Sequence, residues 1–351
     1  MGRRILVTGV DTFWGARMAQ ALEKDPEVDL ILGVGSVDPP VELSRTEFVK
    51  ADQSYSILAR IVRATRVDTV VHTFLVTDST KVSGRALNEI NVIGTMNLLA
   101  AAGGSSSSVR QVVMKSSTLV YGTNPRDPSF FTESSKRSSP ASSRLERTLV
   151  DAESYMRDFA EDNPHVTVSL LRFANVLGTD IQTPITMNLR KSRLPYIVGF
   201  DPQIQFVEED DVVRALEFVT TNQIPGVFNV AGDSRIPWSE VAKISGARRI
   251  PISAIGTEMA VRPLIKLGLI EAPPELLDLL RYGRGVDNSR LKSAGFTYRY
   301  TSAGAIENFT FSHRLRRSLG SGSSGYKYQH DVEAFFRHSP AVMHQDANSE
   351  I

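Results

Sequence analysis

Gly9, Thr12 and Gly15 stand three residues apart, after the short apolar run Ile5-Leu6-Val7 and at the start of a helical pattern that begins at Phe13. A strand that breaks at glycine and resumes as a helix turns the helix's first amides toward an anion, and a pyrophosphate suits that geometry. Such a turn is best served by three glycines. Gly9 and Gly15 hold the outer positions, but Thr12 holds the middle one, where bare backbone would approach the phosphates. Proton transfer on a ligand held there needs a base. A phenol, with a pKa near ~10, serves at neutral pH only beside a cation.

The elements that must position these residues alternate regularly. Residues 5–7, 28–34, 48–52, 68–72, 111–114 and 166–173 read as strands, and residues 15–24, 56–65, 87–102 and 145–161 as helices. That alternation predicts an α/β fold of the Rossmann type, a doubly wound parallel sheet with its ligand crevice at the carboxyl ends of the strands. At the end of the second strand, where an acid would bond a ribose hydroxyl, stands Gly35. Asp38 follows in a Pro-containing turn, and no arginine takes the place of Gly35 to welcome a 2′-phosphate. Residues 125–143 are polar and read as a surface loop, a lid over the crevice.

Beyond Asn175 the pattern loosens into short elements at 205–207 and 226–230, a helix over 210–220 with acids in its first turn, and a mainly helical stretch over 238–281. The expected organisation is a dinucleotide-binding unit over 1–178, a smaller and discontinuous substrate-type subdomain over 179–318 that caps the crevice, and a flexible GSGSSG linker with a tail over 319–351.

Composition narrows the function classes. A net charge of +1 gives no global field for nucleic acid or an anionic membrane surface. The absence of cysteine removes disulfides, thiol nucleophiles and thiolate metal sites. The six histidines (72, 165, 313, 330, 338 and 344) show no metal spacing, so no metal is expected. Neither a P-loop nor a G-x-S-x-G elbow is present. The chain enters a strand directly after MGRR, and no run approaches the roughly 18 apolar residues of a membrane span, so a cytoplasmic protein is expected.

The motifs in order resemble the extended short-chain dehydrogenase/reductase family, in its NAD-dependent sugar-nucleotide epimerase/dehydratase branch, and actinobacterial members described as UDP-glucose 4-epimerase-like. The resemblance runs over about residues 3–310. It is carried by Thr8-Gly9 with Phe13 and Gly15, Asp52, Asp68-Thr69-Val70-Val71-His72, Asn91-Val92-Ile93-Gly94-Thr95, Ser116-Ser117-Thr118-Leu119-Val120-Tyr121-Gly122, Leu171-Arg172-Phe173-Ala174-Asn175-Val176-Leu177-Gly178, and the stretch 226–233. It implies NAD as cofactor, with NADP left open. The turn (Gly9, Thr12, Phe13, Trp14, Gly15) would hold it, Asp52 would lie at the adenine, and His72 and Asn91 near the cofactor. Ser117 would take the place of the catalytic Ser/Thr, and Asn175 would sit near the phosphates of a nucleotide-sugar substrate. The resemblance further implies a homodimer paired through two sheet-flanking helices.

The same resemblance locates the departures. The resemblance implies a catalytic tyrosine with a lysine four residues later, one helical turn on, to lower its pKa. None of the nine tyrosines (55, 121, 155, 196, 282, 298, 300, 326 and 328) has a lysine four residues after it, and counted from Glu153 and Asn175 the tyrosine position falls at Leu145 and the lysine position at Leu149. Together with Thr12 and Gly35, the departures fall at cofactor and catalytic positions while the apolar strands are intact. Two readings follow. One is an NAD-dependent epimerase/dehydratase-like enzyme with a non-standard base. The other is a catalytically degenerate protein that keeps the fold to sense a nucleotide or metabolite, or to act as a scaffold.

Overall fold

The structure, a computed structural model, describes residues 2–80, 82–104 and 107–319. Most of the expected linker and tail, residues 320–351, therefore lies outside the described residues. Seven strands form one sheet: β1 (Arg3–Thr8), β2 (Val28–Gly35), β3 (Thr46–Lys50), β4 (Thr69–His72), β5 (Gln111–Ser117), β6 (Thr167–Phe173) and β7 (Gly226–Val230). All are parallel, in the order β7-β6-β5-β4-β1-β2-β3. The order reverses between β1 and β4, which is where an open α/β sheet offers its crevice. The central strands are buried on both sides, as their unbroken apolar runs require.

Helices cover both faces. On one, α1 (Phe13–Leu22) buries Met18, Ala19 and Leu22 beside Val212, Leu216 and Val219 of a helix, here α5, over Glu209–Thr221. On the other lie α2 (Tyr55–Thr65), α3 (84–102, with a π-helical middle at Glu89–Gly94) and α4 (Arg144–Asp162). Residues 209–230 thus return to the sheet after the chain has left it. The remaining C-terminal elements gather their own apolar cluster around Leu177, Phe206, Trp238 and Phe309.

Three local expectations change. The third strand covers Thr46–Lys50, two residues earlier than read, because Lys50 is the last residue opposite Gly35. The stretch expected to be mainly helical contains a strand, Arg248–Ile252, paired in parallel with Arg193–Ile197. Its β-branched Ile250 and Ile252 favour extension, and a two-stranded ribbon tolerates Pro251 at an edge. The polar loop over 125–143 is pinned at three points. Phe131 is buried, Glu133 accepts the Asn229 N–H at 2.9 Å, and Arg137 pairs with buried Glu146 at 2.8 Å.

Behind the crevice runs a buried polar chain. Arg172 on β6 donates to both carboxylate oxygens of Glu153 on α4, at 3.0 and 2.6 Å, and Ser116 Oγ on β5 donates to the same carboxylate at 2.6 Å. Arg172 also donates to the Tyr121 hydroxyl at 2.8 Å, which donates to Asn229 on β7 at 2.7 Å. Burial opposes the Arg172 charge, but the Glu153 carboxylate outweighs it and holds the guanidinium above its ordinary pKa. Removing one partner of such a pair strands a buried charge. Glu153→Ala is therefore expected to cost about 3–5 kcal/mol in a denaturant titration. A loss below about 1 kcal/mol would show that the pair does not hold α4 to the sheet.

Candidate functional site

The turn after β1 is built by close approach. Gly9 lies at φ 74°, and a side chain there would meet Phe74 Cβ at 2.7 Å. At Gly15 a Cβ would fall 2.2 Å from the Gly9 carbonyl oxygen. Thr12 is extended (φ −98°, ψ 157°), a conformation that needs no glycine. Its hydroxyl folds into the turn, donating to the Gly9 carbonyl at 2.7 Å and accepting the Gly15 N–H at 3.3 Å. Thr12 is the N-cap of α1, so the middle position is altered without its side chain standing out over the turn. The amides of Phe13 and Trp14, in the first helical turn, have no acceptor within the helix and suit an anion.

The turn opens on a cavity of about 420 Å³, within the range of small-molecule sites. Thr12, Phe13 and Trp14 line one end. Residues 74–79 after β4 and 115–119 from β5 line the floor, Leu145 lines the α4 side, and Asn175, residues 180–185, Pro273, Glu275 and Arg284 close the far end. Ser117 lines the floor, and its Oγ accepts the Leu119 N–H at 3.2 Å, capping a short 3₁₀ helix over Thr118–Tyr121. Leu145 presents an apolar wall, and Leu149 is fully buried in the core. Among the described residues no tyrosine lines this cavity. Tyr121 is committed to Asn229 and Arg172, and burial pushes its phenol pKa up, away from use as a base.

The other expected site residues lie as follows. Asn175 lines the cavity and donates to the Gln205 carbonyl at 3.0 Å. Asn91 is buried in the π-helical turn and clasps Val76 of the cavity floor, accepting its N–H at 2.8 Å and donating to its carbonyl at 2.9 Å. It also donates to Thr148 on α4 at 3.2 Å. His72 is buried outside the lining, with Nε2 2.9 Å from Thr95 Oγ1. Asp52 is exposed, outside the lining, and accepts the Ser54 N–H at 3.0 Å. Asp38 lies 3.9 Å from Lys50.

Two lining cations were not picked out by the sequence reading. Lys115 is buried on β5, two residues before Ser117, with Nζ 5.4 Å from the Trp14 ring centroid. Its only signal was a lysine directly after the apolar run Val112-Val113-Met114. Arg284 donates to Thr123 Oγ1 at 3.1 Å, its Nε finds no partner among the described residues, and burial lowers its pKa to about 10. Nothing local in the sequence around Arg284 foretells its burial. Among the described residues no group of three or more His, Asp or Glu could hold a metal, and no helix is long and apolar enough to cross a membrane.

Residues 5–231 match the NAD dependent epimerase/dehydratase family. The chain is 31% identical over 312 residues to the uncharacterized protein Rv0501 of Mycobacterium tuberculosis, covering 87% of this chain and 82% of that one. Similar solved structures include a UDP-glucose 4-epimerase from Thermotoga maritima with UDP-glucose, at 20% identity and TM-score 0.68, covering 90% of this chain and all of that one. MoeE5 in complex with UDP-glucose and NAD is similar at 21% identity and TM-score 0.68, with coverage of 90% and 100%. At these identities the structures establish the shared fold.

The burial of His72 has a consequence for acid stability. Burial, aided by the nearby Lys115 charge, lowers its pKa to about 3, so the folded protein keeps the imidazole neutral. The unfolded chain protonates it near ~6.5. This residue leaves stability untouched above that pH and removes up to about 1.4 kcal/mol per pH unit as pH falls from there toward 3. His72→Gln is expected to flatten the decline of denaturation midpoints between pH 6.5 and 4.5. An unchanged decline would show that other groups dominate it.

Proposed function

Because this chain belongs to the NAD dependent epimerase/dehydratase family, we propose that it binds NAD across the β1/β4 reversal but does not carry out the family's phenol-based proton transfer. The observation that carries this reading is Leu145, an apolar wall 2% exposed, at the cavity face where the base would stand. The amides of Phe13 and Trp14, with the close contact at Gly15, fit a pyrophosphate. NAD bound there would offer a hydride acceptor. Ser117 could orient a hydroxyl beside it, but among the described residues this cavity wall supplies no phenol to take the proton. A nucleotide sugar fits the far end, where Asn175 and Arg284 offer polar groups. On this reading the protein senses or carries nucleotides on an enzyme's fold.

One observation favours a second reading, catalysis by a different base. Lys115 and Ser117 lie two apart on β5 and both line the cavity. A desolvated lysine can act as a base. Isothermal titration with NAD separates the readings when joined to chromatographic detection of sugar-nucleotide products from UDP-glucose and UDP-glucuronic acid, because a hydride returned within the cycle leaves no net NADH. We expect micromolar NAD binding and no conversion of either sugar nucleotide. Conversion abolished by Lys115→Met would establish the second reading, and no binding at millimolar NAD would overturn both.

The homodimer belongs to the same proposal. Ile93 and Met96 on α3 are 46% and 41% exposed, an apolar face that a second copy could cover. Light scattering is expected to give twice the 38.6 kDa chain mass. A monomer at micromolar concentration would remove the dimer from the proposal.

A further inference from the structure

Resting on the dinucleotide reading above, the geometry points to Asp11 as the residue that reads the adenosine ribose and rejects a 2′-phosphate. A dinucleotide fold usually draws this carboxylate from the end of the second strand. Here that position is Gly35, which has no side chain. The space beside it is filled from across the turn: a Cβ on Gly35 would lie 2.9 Å from Asp11 Cγ and 3.0 Å from Asp11 Cβ. The Asp11 carboxylate sits over the end of β2, where its Oδ2 accepts both the Ser36 N–H and the Ser36 hydroxyl at 2.7 Å. The acid absent from one side of the crevice is thus supplied from the other.

Asp11 lies between Gly9 and the Thr12 cap, in the turn whose following amides suit the pyrophosphate. It therefore stands between the expected diphosphate and the end of β2. It is half-buried, and both of its bonds fall on one oxygen. A carboxylate has about four lone-pair sites, which leaves acceptor capacity for a ribose diol. A 2′-phosphate at that point would set like charges against each other at short range. Across the strand pair, Lys50 sits opposite Gly35 and lies 3.9 Å from Asp38. The inference gives Gly35 a reason: a side chain at 35 and the carboxylate of Asp11 cannot share one space.

The test measures affinities of NAD and NADP by titration calorimetry, with a thermal melt for each protein. The wild type is expected to prefer NAD at least tenfold. Asp11→Asn keeps an acceptor for Ser36 and removes the charge, and should reduce that preference at least tenfold. Asp11→Ala should weaken NAD about tenfold. Folded Asp11→Asn and Asp11→Ala proteins that keep wild-type NAD affinity and discrimination would overturn the inference and leave the dinucleotide reading standing. No binding of either dinucleotide to the wild type would overturn both.

Discussion

The ion pair between Arg172 and Glu153 ties together more of this molecule than any other interaction described. It fastens α4 to β6 and reaches β5 through Ser116. Through the Tyr121 hydroxyl it reaches Asn229 on β7, whose backbone also holds Glu133 of the long polar loop. Arg172, Glu153, Ser116, Tyr121 and Asn229 are all buried and joined to one another by hydrogen bonds. Such a network in a low-dielectric interior permits one arrangement of the elements that carry it. The wall of the cavity formed by α4 is therefore a rigid one.

That rigidity bears on the two positions of α4 at which the resemblance implies a tyrosine and a lysine. Leu145 lines the cavity with an apolar face, and Leu149 lies in the core with Ala152 and Met156. A lysine at 149 would place a charged end among packed apolar groups. The packing of α4 thus suits leucine at both positions, while Ser117 and buried Lys115 line the same cavity.

Legibility from sequence followed the physics of each element. The strands at 5–7, 28–34 and 111–114 were readable because a parallel sheet covered on both faces needs uninterrupted apolar runs. The strand Arg248–Ile252 was not, because its pairing with Arg193–Ile197 is set by tertiary contact and its length is within a helical turn or two. Leu145 and Leu149 could be placed by counting along α4. Asp11 could not be given a role, since its meaning depends on an empty side-chain position 24 residues later and on a hydrogen bond across two strands. Thr12 read as damage from its identity alone. Its backbone angles and the inward turn of its hydroxyl show a cap.

The late return of residues 209–230 to the sheet also governs how this chain can be made. A nascent chain that has emerged only to the end of β6 has a complete row of unpaired backbone groups along that strand, and the face that α5 will cover is still open. The edge remains so until 57 further residues have been synthesised, counted from Phe173 to Val230. An open parallel edge beside bare apolar surface is the hazard that drives partly made chains to associate. The interval between β6 and β7 is the vulnerable window in the biogenesis of this protein, and β7 is the strand that ends it.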